Sequence, residues 1–308
     1  VKFRSKTMAL VLTTDLSTLR DTLNSALNGT GVGGGYNQSH TVASNPAVGG
    51  NVDDSYHDSI FSAAAKLANY YNITNPFVAV NAGDVILESQ YKDNAASFTS
   101  SVTDRIANPH TYSSTWDMTT ATETTESVSD WNGTREQIVT VSFADADTMN
   151  AWFSAGGEIR VSASHNDASG NQQGTSWEQL TTELGTFRIS LRDTDTTDVD
   201  ASIRKKYSEL GGSYAEIKKE YADDSDYSAN YIAIEAYKDT TTIYVKTILA
   251  DAHVARTGSG SGYGGPWSFT GEDQVVGTST VNVSSLKLSN ATGSVNITNP
   301  TFTVTDSL

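Results

Sequence analysis

The chain contains no cysteine, which removes disulfides, thiolate metal sites and cysteine nucleophiles together and makes folding indifferent to redox surroundings. Basic residues are scarce: 20 Lys and Arg stand against 36 Asp and Glu, for a formal net charge of -16. A surface of that sign repels the phosphates of nucleic acids and anionic membranes, so neither is expected as a partner. Long apolar runs are also missing. None approaches the ~20 residues that a membrane-spanning helix needs, and Val1-Lys2-Phe3-Arg4-Ser5-Lys6 lacks the apolar core of a signal peptide. No membrane insertion is expected. The apolar share is 37%, below the ~45 to 50% usual in globular domains. Ser, Thr, Asn and Asp fill the difference, which suits short strands joined by polar turns over a thin core.

At 308 residues the chain exceeds the roughly 100 to 200 residues of a single domain. Its patterns divide it into an N-terminal helical and connector unit over 1–108, a central β-rich domain over 109–256, and a Gly-rich linker with a C-terminal β segment over 257–308. Val11-Leu12-Thr13-Thr14-Asp15 reads as a strand end and cap, followed by a helix carrying Leu16, Leu19, Leu23 and Leu27. A second capped helix opens at Val52-Asp53 and carries Ile60, Ala64, Leu67 and Tyr71; the two units look like a degenerate repeat. Residues 77–106 read as a connector. Further on, Gln137 to Phe143, Gly156 to Ser164 and Gly185 to Leu191 read as strands, with a helical turn over Asp145 to Phe153 and a short helix around Trp177. Residues 202–222 carry Tyr207, Leu210, Tyr214, Ile217 and Tyr221 at helical spacing, interrupted at Gly211-Gly212. Tyr231 to Tyr237 and Thr241 to Ile248 read as a hairpin, Gly258 to Gly265 as a flexible linker, and Gln274 to Thr305 as strands. The fold class expected is α+β: an N-terminal helical pair, a central β-sandwich-like unit and a C-terminal β segment.

Motifs with chemistry are few. Gly29-Thr30-Gly31-Val32-Gly33-Gly34 and Gly260-Ser261-Gly262-Tyr263-Gly264-Gly265 match the dinucleotide-binding G-x-G-x-x-G formally. Neither leaves a strand to open a helix, so both are expected to be flexible loops. Asp193-Thr194-Asp195-Thr196-Thr197-Asp198-Val199-Asp200 has the carboxylate density of a Ca²⁺ loop without the central Gly and distal Glu of an EF-hand; Asp223-Asp224-Ser225-Asp226 is a weaker version. A solvated acidic loop is the expected reading of each. His40, His57, His110, His165 and His253 show no metal-ligand spacing. Among the aromatics, Trp152 and Trp177 lie among regularly spaced apolar residues and belong in the core, whereas Tyr263 and Trp267 are the better contact candidates. No catalytic, cofactor-binding or metal-ligating residue is assigned.

Ala151-Trp152-Phe153-Ser154-Ala155-Gly156-Gly157-Glu158-Ile159-Arg160-Val161-Ser162-Ala163-Ser164, followed by Ser176-Trp177-Glu178-Gln179-Leu180 and Gly185-Thr186-Phe187-Arg188-Ile189, resembles the virion structural proteins of large marine T4-like tailed phages. The Val11 to Asp15 segment, the Gly33-Gly34-Gly35-Tyr36-Asn37-Gln38 loop and Val52-Asp53 resemble the doubled helix that this family places before its aromatic, Gly-Gly-Glu-Ile-Arg strand. The resemblance spans residues 10–192. It implies a tail, baseplate or neck appendage component that is not an enzyme. Other virion proteins and copies of itself would be its partners, and it would assemble in the host cytoplasm before leaving it. Two other classes stay open: a carbohydrate-binding adhesin that takes a host surface glycan, and a head decoration protein or polysaccharide depolymerase.

Overall fold

The computed structural model describes residues 5–44, 54–77, 88–109, 118–167, 170–193, 203–254, 257–270, 274–288 and 295–308. In chain order these form helices α1 (Ser5–Asn28), α2 (Asp54–Tyr70) and α3 (Glu88–Ala107), then strands β1 (Met118–Trp131) and β2 (Thr134–Ser142). Next come α4 (Ala146–Ser154), β3 (Glu158–Asn166), α5 (Gln172–Leu184), β4 (Thr186–Ser190) and β5 (Arg204–Lys206). The remaining strands are β6 (Ala215–Tyr221), β7 (Tyr231–Lys238), β8 (Thr242–Ala250), β9 (Thr257–Gly262), β10 (Gly265–Thr270), β11 (Val275–Leu288) and β12 (Thr301–Asp306). The fold is α+β.

Two compact units emerge, each built from separated stretches: 1–119, 145–157 and 287–299 form one, and 120–144, 158–286 and 300–308 form the other. The stretch after residue 257 is not a segment apart. β11 pairs with β3 and β12 with β2, so the last strands complete sheets begun in the middle of the chain.

In the first unit α1 runs straight through Val11 to Asp15, where a strand end and cap were expected. Leu12 extends the Leu16, Leu19, Leu23, Leu27 spacing by one more turn, and a continuous apolar stripe outweighs the weak strand preference of Val11, Thr13 and Thr14. The repeated strand-cap-helix unit is therefore absent at its first copy; the residues opening its second copy, 51–53, lie outside the described residues. A third helix, α3, occupies much of the expected connector. Its Ala95, Phe98 and Val102 are buried at helical spacing, but Ser, Thr and Asp around them dilute the pattern. Leu19, Leu23 and Leu27 of α1 and Ile60, Ala64 and Leu67 of α2 are likewise fully buried. Phe77 stacks on Phe61 at 5.4 Å and meets Phe98 edge-on at 5.6 Å.

Also in this unit, Asp145 caps α4 by accepting a hydrogen bond from the Thr148 backbone N–H at 2.6 Å, which holds its carboxyl below the usual range. Trp152 and Phe153 at the end of α4 are completely buried. The turn that follows needs glycine twice: Gly156 has φ +83°, and a Cβ on Gly157 would lie 2.4 Å from the Trp152 indole.

The second unit carries two five-stranded sheets, ordered β1-β11-β3-β4-β5 and β12-β2-β8-β7-β6. Helix α5 packs against β3 of the first sheet and against β6 and β7 of the second, so the interior is built from two sheets and a helix. Alternation decides which side chains enter it: Val139 and Val141 of β2, Ile243 and Val245 of β8, and Ile232, Ile234 and Ala236 of β7 are buried. Two segments differ from their sequence reading. Ala215–Tyr221 is strand β6, because ladder pairing with β7 overrides the helix preference of its Glu and Lys residues. Gly258 to Gly265 belongs to the antiparallel hairpin β9–β10, in register from Gly262↔Gly265 to Thr257↔Thr270.

The Gly157 contact gives a direct test. Gly157→Ala should destabilise the chain by about 1 to 3 kcal/mol through overpacking, read as a lower urea midpoint. Gly211→Ala, where a Cβ meets open space, should leave the midpoint nearly unchanged.

Candidate functional site

Three strands of the first sheet are tied together at one end by a buried polar chain. Trp131, the last residue of β1, donates its indole N–H to Ser279 Oγ on β11 at 3.0 Å. Ser279 lies directly opposite His165 of β3, and its Oγ is 2.9 Å from His165 Nδ1. His165 Nε2 is 3.2 Å from the Val276 carbonyl. One proton assignment satisfies all three bonds: Nε2–H donates to Val276, and Nδ1 accepts from the Ser279 hydroxyl. The Trp177 ring of α5 packs edge-on against Trp131 at 4.9 Å. A hydroxyl beside an imidazole invites comparison with a nucleophile and base, but Ser279 is 1% exposed and its oxygen already accepts from the Trp131 indole. The group positions strands. Burial holds His165 below its usual pKa, partly opposed by its bond to Val276 and by Asp167 and Glu178.

Further along the same sheet, Arg160, Arg188 and Arg204 stand opposite one another on β3, β4 and β5. Glu158 reaches two of them. Its Oε2 meets Arg160 Nε at 2.8 Å and its Oε1 meets Arg204 Nη1 at 2.6 Å, with the Glu158 and Arg204 side chains each 2% exposed. The Coulomb attraction of these ion pairs offsets repulsion among the neighbouring cations.

On the second sheet, the face bearing Tyr237 and Tyr244 is aromatic and self-satisfied. These two rings stack at 4.2 Å, Tyr214 meets Tyr237 edge-on at 4.6 Å, and Lys246 pairs with Glu235 at 2.6 Å. Lys219 Nζ sits 3.9 Å above the Tyr231 ring. Rings stacked on each other, or capped by the chain's own lysine, do not offer the open flat faces that stack on a sugar.

In the first unit, Tyr36 and Tyr71 share a buried hydroxyl–hydroxyl bond of 2.7 Å, and Arg105 lies over the Tyr71 ring at 5.1 Å. Burial raises both phenol pKa values, so these hydroxyls stay protonated. A groove of about 540 Å³ runs between α1 and α3, lined by Thr18, Thr22, Ser25, Thr103, Ile106 and Gly34 among others. Its walls are mostly small side chains and hydroxyls, with Asp21 and Ile106 among them.

The sequence candidates resolve as follows. Gly29 to Gly34 follows a helix and opens none, as expected, yet it is a packed turn rather than a flexible loop. The Tyr36 N–H bonds the Ala26 carbonyl at 2.9 Å, and a Cβ on Gly35, at φ +149°, would meet the Ser25 carbonyl at 2.4 Å. The second glycine match is the turn of the β9–β10 hairpin, with Tyr263 fully exposed at its tip; the Trp267 side chain lies outside the described residues. Trp152 and Trp177 are core residues, and so is Trp131. Trp116 and His110 lie outside the described residues, as does the acidic run from Thr194 to Asp200. Asp193 pairs with Lys206 at 3.2 Å. Asp224 accepts from the Asp226 backbone N–H and from Gln172, which shapes a turn. His40 accepts from Lys66, and His253 packs on Tyr227 at 4.7 Å. Among the described residues no group of three His, Asp or Glu is placed to hold a metal ion, and no helix is long and apolar enough to cross a membrane.

No family model matches the chain, and neither curated proteins nor solved structures give a match. The site residues that sequence reading missed are the cross-strand groups: Trp131 with Ser279 and His165, and Glu158 with its arginines. The sequence signal for Ser279 and His165 was a polar residue on the inward side of an alternating strand; Glu158 stands on the other side of β3 from Ile159 and Val161 and had none.

Two measurements follow from these clusters. The folded-state pKa of His165 is depressed, so the unfolded chain binds more protons as pH falls through ~6.5 and below, and stability is lost in that direction. Thermal melts from pH 7.5 to 5 should show this loss, and His165→Gln should flatten it. Arg204→Met strips Glu158 of its buried partner and should cost about 3 kcal/mol, read by denaturant titration; Arg160→Met, at a half-exposed position, should cost less.

Proposed function

We propose that this chain is a non-enzymatic structural subunit of a tailed-phage particle, a tail, baseplate or neck appendage component that acts by assembly with other virion proteins and copies of itself. The observation that carries the reading is how the motif behind the phage resemblance is used. Trp152 and Phe153 are buried, Gly156 and Gly157 make the turn beneath the indole, and Ile159 and Val161 enter the sheet interior. Each of these residues shapes or packs the fold, as in a family defined by architecture rather than by a reaction. Support also comes from the sheets, which are open: their described edges are β1, β5, β6 and β12, and strand edges are natural sites for neighbouring subunits.

The alternative of a glycan-binding adhesin has one observation in its favour. The stretch from Thr257 to Thr270 has no charged residue in a chain of net charge -16, and it raises Tyr263 fully into solvent at a hairpin tip.

Cryo-electron microscopy of particles from the source should show this chain as a repeated tail, neck or baseplate subunit. Its absence from every particle would contradict the assembly reading. Binding of the isolated chain to surface glycans, abolished by Tyr263→Ala, would favour the adhesin.

A further inference from the structure

Four strands end the two sheets, and three of them carry devices that discourage further pairing. β5 is three residues long and wholly basic, Arg204-Lys205-Lys206. β6 has a register shift between Glu216 and Lys218 and carries Lys218 and Lys219. β12 follows Pro300 and has a register shift between Val304 and Asp306. Short length, lysine and bulges are how sheet edges are protected from adding strands. β1 is different. It is 14 residues long, and Thr120 to Ser129 contains no Pro, Gly, Lys or Arg; Asp130, near its end, takes a positive φ. β-branched threonines keep the run extended. Its inner edge is held by β11, with Ser127 and Ser129 bonded to Thr280 and Thr278. No described strand pairs with its outer edge.

The charges on this edge select its occupant. β1 bears Glu123, Glu126 and Asp130 and no cation, on a chain of net charge -16. A second copy pairing its own β1 here would bring acidic strand to acidic strand, and its basic edges are short (β5) or bulged (β6), whereas a longer strand bearing lysine or arginine gains cross-strand pairs. We propose that the outer edge of β1 accepts an extended, Lys- or Arg-bearing segment of a different protein as an added strand. Backbone hydrogen bonds supply the affinity, and Glu123 and Glu126 supply the preference. This rests on the assembly reading and names the partner chemistry that it requires.

The test uses the full chain and a synthetic peptide of alternating Thr and Val with two lysines, beside the same peptide with two glutamates. Fluorescence anisotropy reports binding, and amide hydrogen exchange reports where it occurs. The lysine peptide should bind and slow exchange within residues 120–129, with the glutamate peptide about tenfold weaker or more at low salt. Glu123→Lys with Glu126→Lys should reverse that order. Should this pair of changes disturb folding, Thr125→Lys, at an exposed position, should weaken the lysine peptide alone. Equal binding of the two peptides, protection outside β1, no binding, or a dimer formed through β1 without peptide would each overturn the proposal. Failure here with the chain present in particles removes the edge site and leaves the assembly reading; binding here with the chain absent from particles does the reverse.

Discussion

The first sheet depends on the placement of Trp131. A strand as polar as β1 has little apolar surface to fix its register, and a slip of one residue would turn every side chain to the other face. The indole at its end supplies the fix: it donates to Ser279, lies against Trp177, and through Ser279 is linked to His165 on the next strand but one. Burying a large ring with its N–H satisfied combines a hydrophobic gain with a directional constraint. What is left along the rest of β1 is an outer edge that no described strand pairs with.

A thin core explains why such pins recur. With an apolar share of 37%, the chain concentrates burial in a few large rings: Trp152 over Gly157, Phe77 between Phe61 and Phe98, and Tyr36 bonded to Tyr71. Some of the polar groups inside are matched to one another, as Glu158 is to Arg204. Burying such a pair contributes less to stability than an apolar equivalent would, but removing one partner is costly. The interior is thus specific more than it is deep, and added strands from neighbours would supplement it.

Much of this was legible in the sequence where periodicity is strong. Strands β2, β3, β4, β7 and β8 follow from alternation, and the α+β class follows from the change of pattern near Trp131. Besides the start of α1 and strand β1, other places were not legible, each for its own reason. α3 hides its stripe among Ser and Thr. β6 has helix-forming residues and is a strand only because β7 lies beside it. The β9–β10 hairpin reads as linker because its glycines carry no pattern. The polar chain at Trp131 was invisible because it joins residues 131, 165 and 279, far apart in sequence and adjacent only once the sheet order β1-β11-β3 exists. Edge status has the same character: nothing in the β1 sequence says that it lies outermost.

The central claim is that this outermost edge is where the chain joins its neighbours. Amide hydrogen exchange across residues 120–129, compared between the isolated chain and the chain inside purified particles, tests it most directly. The account predicts that amides facing away from β11 exchange fast in the isolated chain and become protected in the particle. Rates already slow in isolation, or unchanged on assembly, would contradict it.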